Sequence, residues 1–275
     1  MADLRFRVDA EKCVQCDTCV NDCPSGIIQR HGTLPEAALP AGGACLECQH
    51  CLAVCPSGAI SVFGLQAENS LPLTENALPS YRQMKTLVRG RRSVRRFCDD
   101  DLPPALLDEL LADLAHAPTG CNARDLTFSL VSGRDAMKRL LAGVMQSIEA
   151  GLASGAELHT LFDEAVTAYR SGKDEIFQGA PYLLIVSHGT QAMCGQEDVA
   201  LALAYFELLA QSAGLGTTWC GMIKFVADMF PETRSLLGLT PDAYFYGMIF
   251  GKPAVRYART VQRDSAARFR RIDIA

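Results

Sequence analysis

The stretch "CVQCDTCVNDCP", residues 13–24, contains four closely spaced cysteines, Cys13, Cys16, Cys19 and Cys23, and ends in proline. A second stretch, "CLECQHCLAVCP" at residues 45–56, repeats this spacing with Cys45, Cys48, Cys51 and Cys55. Both copies follow the pattern C-x2-C-x2-C-x3-C-P-S-G-x-I, and equivalent positions are 32 residues apart. The N-terminal part of the chain is therefore a two-fold internal repeat that carries eight of the 12 cysteines.

The repeated spacing predicts two iron–sulfur clusters. Such clusters are held by cysteine thiolates, and in two-cluster proteins the cysteine before proline serves the other cluster. We therefore predict one 4Fe–4S cluster on Cys13, Cys16, Cys19 and Cys55, and a second on Cys45, Cys48, Cys51 and Cys23. Zinc is the main alternative, but a four-ligand zinc site does not explain a third cysteine at the next x2 step. Residues 5–63 resemble the bacterial two-cluster ferredoxins.

Length and composition limit the class of protein. A chain of 275 residues is typical of two domains at ~100–200 residues each. The formal net charge of −5 argues against a nucleic-acid-binding protein. No run of ~18 apolar residues predicts a membrane span, and the first residues lack the apolar segment of a secretory signal. We expect a cytoplasmic protein, in which a disulfide framework is disfavoured.

The chain changes character after the repeat, and we predict two domains joined by a linker. Residues 1–66 form the repeated module. Residues 67–80 are predicted to be a linker because they are polar and contain Pro72 and Pro79. Residues 81–275 form the second domain.

Helical and extended patterns are mixed in this second domain. Residues 103–118 place five leucines on one helical face, with Asp101 as the predicted cap and Pro118 as the stop. The stretches "DLTFSLVSG", "PYLLIVSHG" and "AYFYGMIFG" predict strands. "EDVALALAYFELLAQSAG" predicts a helix that is apolar on nearly all sides, as is typical of a core or an interface. The irregular order of these elements predicts an α+β fold.

Four cysteines lie outside the repeat, at Cys98, Cys121, Cys194 and Cys220. They are far apart and have no ligand spacing. We expect them to be small buried hydrophobic side chains.

A strongly basic stretch opens the second domain. Residues 81–98 contain six arginines, one lysine and no acid, with Ser93 among them. A solvated basic surface and a nucleic-acid patch are two interpretations. A phosphate site is the third, because guanidinium groups bind phosphate in a bidentate manner.

Four motifs in order support the phosphate interpretation. They are R-R-S-V-R-R-F at 91–97, A-P-T-G-x-N at 117–122, G-L-G-T-x-W at 214–219 and G-x-P at 251–253. Over residues 81 to about 260 the chain resembles the FMN-binding nitroreductase family, and the whole chain resembles a ferredoxin–nitroreductase fusion. The resemblance implies an α+β sandwich that dimerises through long helices, with two FMN sites at the interface.

The resemblance also implies roles for individual residues. Arg91, Arg92, Ser93 and Arg95 match the segment that holds the FMN phosphate and ribityl chain. Pro118, Thr119, Gly120 and Asn122 match a segment that reaches the flavin from the partner subunit, and Leu215, Gly216 and Thr217 match the loop near flavin N5. Arg256 or Arg259 matches a second phosphate contact, and the spacing does not decide between them. Lys252, after Gly251, and Arg124 depart from the family's common residues, which affects the expected substrate pocket more than the flavin site.

The expected function is electron transfer from two clusters to FMN, which then reduces a small electrophilic substrate. A reduced external ferredoxin or another low-potential donor would supply the electrons. The alternatives are an electron relay between protein partners, an NAD(P)H-dependent nitroreductase with a regulatory iron–sulfur domain, and an iron–sulfur sensor. No G-x-G-x-x-G motif follows a strand, and no residue is identified as a proton donor.

Overall fold

The structure is a computed structural model that describes residues 4–38, 45–153, 160–263 and 267–274. The chain divides into two compact units. The N-terminal unit comprises residues 1–79 together with 121–123, and the C-terminal unit comprises residues 80–120 and 124–275. Each unit is described by itself below.

The N-terminal unit consists of short helices and strands. In its described part these are β1 (Arg7–Val8), α1 (Thr18–Asn21), β2 (Ile28–His31), β3 (Leu34–Ala37), α2 (His50–Ala53), β4 (Ile60–Val62) and β5 (Leu65–Gln66). The strands β1, β4 and β5 form one antiparallel sheet in the order β1-β4-β5, and β2 pairs with β3. A small core that includes Ile27, Leu52 and Ile60 lies beneath the cysteine loops.

The two-fold repeat is visible in the backbone of this unit. Helix α2 begins 32 residues after α1, at the equivalent position. Gln15 and Asp17 in the first loop adopt positive φ angles of 57° and 58°, and Glu47 and Gln49 in the second adopt 52° and 59°. Positive φ is uncommon for residues other than glycine. The two cysteine loops therefore share the same tightly curved conformation.

The C-terminal unit is built around one four-stranded antiparallel sheet. Its elements are α3 (Tyr81–Gly90), α4 (Pro104–Asp113), β6 (Leu126–Ser132), α5 (Arg134–Ala153), α6 (Thr160–Arg170), β7 (Tyr182–His188), α7 (Gly195–Ser212), β8 (Gly216–Trp219), α8 (Gly221–Met229), α9 (Pro231–Leu236) and β9 (Phe245–Gly251). The strand order is β6-β7-β9-β8. Strand β7 is almost entirely buried, as its unbroken apolar sequence predicts.

Helices cover both faces of this sheet. Because side chains alternate along a strand, Leu183 and Ile185 of β7 pack with α5, α6 and α8, whereas Leu184 and Val186 pack with α4 and α7. The predicted α+β class is confirmed. Among the described residues, no helix is both long and apolar enough to cross a membrane.

Two local predictions differ from the structure, and one helix was not predicted. Asp101 does not cap α4, because the N-cap position is Pro103 and no side chain bonds there. The predicted burial of all four isolated cysteines is wrong: Cys220 is buried, Cys98 is half-buried, and Cys121 and Cys194 are exposed. Helix α3 was not anticipated. It begins with a capping box in which Ser80 and Gln83 bond each other's backbone amides, a signal present in the sequence.

Candidate functional site

The eight repeat cysteines line two separate cavities in the N-terminal unit. Cys13, Cys16, Cys19 and Cys55 line the first, which we call the Cys16 cavity. Cys23, Cys45, Cys48 and Cys51 line the second, the Cys48 cavity. In each set, three cysteines come from one copy of the repeat and the fourth comes from the other copy. The structure thus brings together the same two groups of cysteines that were predicted from the spacing, and their role as cluster ligands stays a prediction.

The cysteine donors fit the cluster chemistry. Thiolates are the ligands of iron–sulfur clusters, and each cavity offers four of them. The Thr18 hydroxyl donates a hydrogen bond to Cys16 Sγ at 3.2 Å, and this bond lowers the pKa of the Cys16 thiol. Burial raises the pKa of Cys51 to about 11. Within the described part of the chain, no three Cys, His, Asp or Glu side chains are gathered tightly enough to hold a single metal ion.

Arg30 is the one arginine among the residues that line the Cys16 cavity. Its Nε donates to Asp17 Oδ1 at 2.6 Å, and its Nη1 donates to the Thr33 carbonyl at 2.5 Å. The hydrogen bond to Asp17 raises the pKa of Arg30, and the negative charges of the Cys13 and Cys19 thiolates raise it further. The guanidinium is therefore within electrostatic reach of two of the four cysteines.

The C-terminal unit contains a larger cavity of about 690 Å³, which we call the Arg92 cavity. That volume is typical of a small-molecule or cofactor site, ~300–1,000 Å³. Its lining includes three arginines, Arg82, Arg92 and Arg256, and all of its lining residues lie in the described part of the chain, where none is Asp or Glu. Such a wall of guanidinium groups suits a phosphate-bearing ligand.

Four segments form this cavity, and one of them is the basic stretch after α3, which contributes Arg92 and Val94. Helix α3 contributes Arg82, Gln83, Thr86 and Leu87; the end of α7 and the turn into β8 contribute Gln211, Ser212, Gly214, Leu215 and Thr217; the segment after β9 contributes Pro253, Val255, Arg256 and Tyr257. A β-bridge between Ser93 and Thr217 joins the basic stretch to β8. Gly216 is required for this approach, because an added Cβ would lie 2.7 Å from Val94. The glycine of the G-L-G-T motif therefore has a packing role.

The residues predicted for the FMN phosphate, the ribityl chain and flavin N5 do not all line the cavity. Arg92, Leu215, Thr217 and Arg256 do. Arg95 and Arg259 are exposed and are not among its lining residues. Of the two arginines that the sequence left undecided, it is therefore Arg256 that lines the cavity.

Arg91 is engaged by a buried carboxylate. Its Nη1 lies 3.2 Å from Glu207 Oε1, and the Thr217 hydroxyl is 3.4 Å from the same oxygen. The Glu207 side chain is only 10% exposed, and a carboxylate so buried requires a cation or hydrogen bonds. Arg91 was predicted to bind the phosphate, whereas its partner Glu207, in the largely apolar helix α7, was not predicted.

Pro118, Thr119 and Gly120 are not among the residues that line the Arg92 cavity. The Gly120 amide donates to Asp198 Oδ1 at 2.9 Å, and the Thr119 hydroxyl accepts from the Arg124 amide at 2.9 Å. Asn122 belongs to the N-terminal unit, in which its Nδ2 donates to the Leu46 carbonyl at 2.8 Å. The segment was expected to reach a flavin of the partner subunit, and this stays a prediction.

Several residues that line the Arg92 cavity were not predicted from the sequence. Arg82, Gln83 and Thr86 lie on α3, so recognising the Ser80–Gln83 capping box would have placed them on one helix next to the R-R-S motif. Gln211 and Tyr257 had no comparable signal, because their position depends on the tertiary packing of distant segments.

Comparison with known proteins agrees with this architecture. The family model "Nitroreductase family" matches residues 88–252, and the model "4Fe-4S dicluster domain" matches residues 12–60. The chain is 27% identical over 183 residues to "Iodotyrosine dehalogenase 1 homolog" of Caenorhabditis elegans, which covers 60% of this chain and 54% of the relative. It is 24% identical over 172 residues to an FMN reductase (NAD(P)H) of Bacillus subtilis strain 168, which covers 61% of this chain and 65% of the relative. The chain thus spans less than two thirds of either relative.

Solved structures show the same fold. A nitroreductase with bound FMN from Bacteroides fragilis NCTC 9343 matches with a TM-score of 0.56 at 21% identity, covering 68% of this chain and 99% of that one. A nitroreductase with bound FMN from Desulfitobacterium hafniense DCB-2 matches with a TM-score of 0.53 at 20% identity, covering 68% and 97%. Because the first family model spans more than half of the sequence and the second spans both cysteine motifs, the chain belongs to the nitroreductase family and carries a 4Fe–4S dicluster domain ahead of its nitroreductase domain.

Proposed function

We propose that the chain is an FMN-dependent oxidoreductase that receives electrons through two 4Fe–4S clusters and reduces a small electrophilic substrate. The observation that carries this proposal is that one chain combines two four-cysteine cavities with an acid-free, three-arginine cavity in the nitroreductase fold. Bound clusters supply single electrons, and bound FMN converts them into two-electron reduction. The protein supplies placement and electrostatics.

The cysteines of each cavity would hold one cluster. The Cys16 cavity provides Cys13, Cys16, Cys19 and Cys55, and the Cys48 cavity provides Cys45, Cys48, Cys51 and Cys23. Cys23 of the first repeat would bind the cluster of the second, and Cys55 of the second repeat would bind the cluster of the first. Loss of Cys23 or Cys55 should therefore disturb the cluster that is held mainly by the other repeat.

The Arg92 cavity would hold FMN. Arg92 and Arg256, with Arg82, would bind the phosphate, because charge-assisted contacts to phosphate are the strong ones. Leu215, Gly216 and Thr217 would lie beside the flavin ring. We retain Ser93 and Arg95 as neighbours of the phosphate and ribityl chain, and Arg259 as the weaker candidate for the second phosphate contact.

A homodimer would complete the site. Helix α3 leaves Tyr81, Met84 and Val88 exposed at helical spacing, and α7 leaves Leu201 and Tyr205 more than 40% exposed. Large apolar side chains grouped on helices of a single chain are typical of an interface. Pro118, Thr119, Gly120 and Asn122 would then contribute to the flavin site of the partner subunit.

The substrate class is a small electrophile: a nitroaromatic, an activated alkene, a quinone or a halogenated aromatic. The similarity to an iodotyrosine dehalogenase homolog supports including the halogenated aromatic. A reduced ferredoxin or another low-potential carrier is the proposed electron donor.

A second candidate is an NAD(P)H-dependent flavin reductase in which the cluster domain has a regulatory role. The similarity to an FMN reductase (NAD(P)H) favours it. The two candidates differ in how electrons reach the flavin, because only the first requires the cysteine cavities for turnover.

Cofactor content and donor preference together test the proposal. Anaerobically purified full-length protein should contain about eight iron atoms and one FMN per chain, as two cubane clusters and one flavin require. Reduced ferredoxin should support faster reduction of a nitroaromatic than NADH or NADPH does. Protein that contains flavin but no iron, or that turns over equally well with NADPH after iron removal, would support the second candidate instead.

A further inference from the structure

The two cysteine cavities differ at several equivalent positions, and at two of them a charged side chain of the first cavity is replaced by a neutral one in the second. Arg30 and Asp17 line the Cys16 cavity. Positions 32 residues further on are Val62 and Gln49, and both of these line the Cys48 cavity. The two copies of the repeat therefore share a backbone conformation but differ in charge. The Cys16 cavity has an ion pair at these positions, and the Cys48 cavity has an aliphatic side chain and a neutral amide.

The Arg30 guanidinium is held in place by several contacts. Besides its bonds to Asp17 and Thr33, its Nη2 lies 2.5 Å from Asp17 Oδ1. That contact lacks the geometry of a hydrogen bond, and Nη2 is buried without another partner. Val62 at the equivalent position is 1% exposed and belongs to the small core.

The opposite charges of Arg30 and Asp17 are not equally screened by water. The Arg30 side chain is 24% exposed, whereas that of Asp17 is 41% exposed. Water screens a charge more strongly the more it is exposed, so the carboxylate is screened more than the guanidinium. The unequal exposure therefore favours a net positive influence on the Cys16 cavity, whereas no Arg or Lys is among the described residues that line the Cys48 cavity.

We propose that Arg30 makes the cluster of the Cys16 cavity the more easily reduced of the two, so that this cavity holds the electron between transfers. Reduction adds negative charge, and a nearby cation stabilises the reduced form. Reduction potentials of such clusters are set by net charge, hydrogen bonds to sulfur and exposure. This inference rests on the proposed function only in so far as both cavities hold clusters.

His50 is the titratable group that faces the other cavity. It lines the Cys48 cavity, and its Nδ1 lies 3.2 Å from Asp22 Oδ2. All variants are compared at one pH, so that the contribution of His50 is the same in each of them.

The test is a potentiometric titration of the full-length, cluster-loaded protein, followed by electron paramagnetic resonance. The wild-type protein should show two separate reduction steps. Arg30→Gln should lower the potential of the first step and leave the second unchanged, whereas Arg30→Lys should preserve it because the charge is kept. Asp17→Asn should raise the potential of the first step, because it removes the opposing charge.

Arg7→Gln is the matched control. Arg7 is exposed on β1 and lines neither cavity, yet its replacement changes the net charge of the same domain by the same amount. It should shift neither step. If Arg30→Gln fails to assemble clusters, the opposite shift expected for Asp17→Asn still decides the question.

Two results would overturn the inference: coincident reduction of both clusters in the wild type, or unchanged potentials in both Arg30→Gln and Asp17→Asn. Neither result would contradict the proposed function, because that function does not depend on which cluster is reduced first. It is tested on the same samples by measuring the reduction of FMN. Absence of clusters, or clusters that never reduce FMN, would instead refute the proposed function.

Discussion

Replacing Arg91 by alanine should destabilise the nitroreductase domain. Removing one partner of a fully buried ion pair costs about 3–5 kcal/mol, whereas an exposed pair contributes about 0–1 kcal/mol. Arg91 is 29% exposed and Glu207 10% exposed, so the pair falls between these limits. We expect Arg91→Ala to lower the free energy of unfolding by about 2 kcal/mol, a fall in Tm of about 4–8 °C for a domain of this size.

Glu207→Gln is the second single variant, and combining it with Arg91→Ala gives the double variant. The amide keeps the size of the carboxylate and retains an oxygen that can accept from the Thr217 hydroxyl. Once the buried charge is removed, loss of Arg91 should cost less. The double variant should therefore be more stable than the sum of the single effects predicts, by about 1–2 kcal/mol of coupling.

Trp219 provides a domain-specific assay, because it is the single tryptophan of the chain and lies on β8. Its fluorescence in urea follows unfolding of the nitroreductase domain alone. The FMN affinity of the same variants distinguishes the two roles considered for Arg91, an ion pair with Glu207 and a contact with the FMN phosphate. If the double variant regains stability but binds FMN more weakly, Arg91 also contacts the phosphate. Additive effects, or an Arg91→Ala variant as stable as wild type, would refute the buried-pair reasoning.

Three further predictions follow from the sites. Cys23→Ala should abolish the cluster of the Cys48 cavity, with iron content and paramagnetic resonance as the readout; a defect confined to the other cluster would disprove the exchange of ligands. Arg256→Ala removes a charge-assisted contact of about 1.5–3 kcal/mol and should weaken FMN binding roughly tenfold to a hundredfold. Arg259→Ala is its control and should bind FMN as wild type does; equal losses in titrations of both would contradict the assignment. Burial raises the pKa of Cys220 to about 12, so its thiolate fraction at about pH 8 is about one in ten thousand and rises with pH. Iodoacetamide should therefore modify exposed Cys121 but not Cys220 in the folded protein, as peptide mass spectrometry would show.

The sequence determined the parts of the structure that depend on local spacing. The cysteine motifs predicted both groups of four, because the repeat fixes the loop conformation and the thiols with it. The apolar run of β7 predicted a buried strand for a similar reason. The Asp101 cap failed because Pro103 already fixes the backbone at the start of α4, so the helix begins beyond the reach of Asp101.

The features that depend on tertiary packing could not be predicted. Arg91 looked like a phosphate ligand, because nothing in the local sequence shows that Glu207, 116 positions away, is buried beside it. Arg256 and Arg259 have the same chemistry and nearly the same position in the chain. Both are exposed, and they differ because the path of the segment after β9 places Arg256, but not Arg259, among the residues that line the cavity.

The most direct test of the central claim is the rate at which FMN becomes reduced when reduced ferredoxin is mixed with the protein under anaerobic conditions. The full chain should be reduced rapidly. A chain that begins at Ser80, shown by Trp219 fluorescence and flavin content to be folded and FMN-bound, should lose most of that rate. NADH or NADPH should reduce the flavin of either protein slowly. Equally fast reduction of the shortened chain, or faster reduction by a nicotinamide than by ferredoxin, would contradict the proposal that the cysteine cavities supply the electrons.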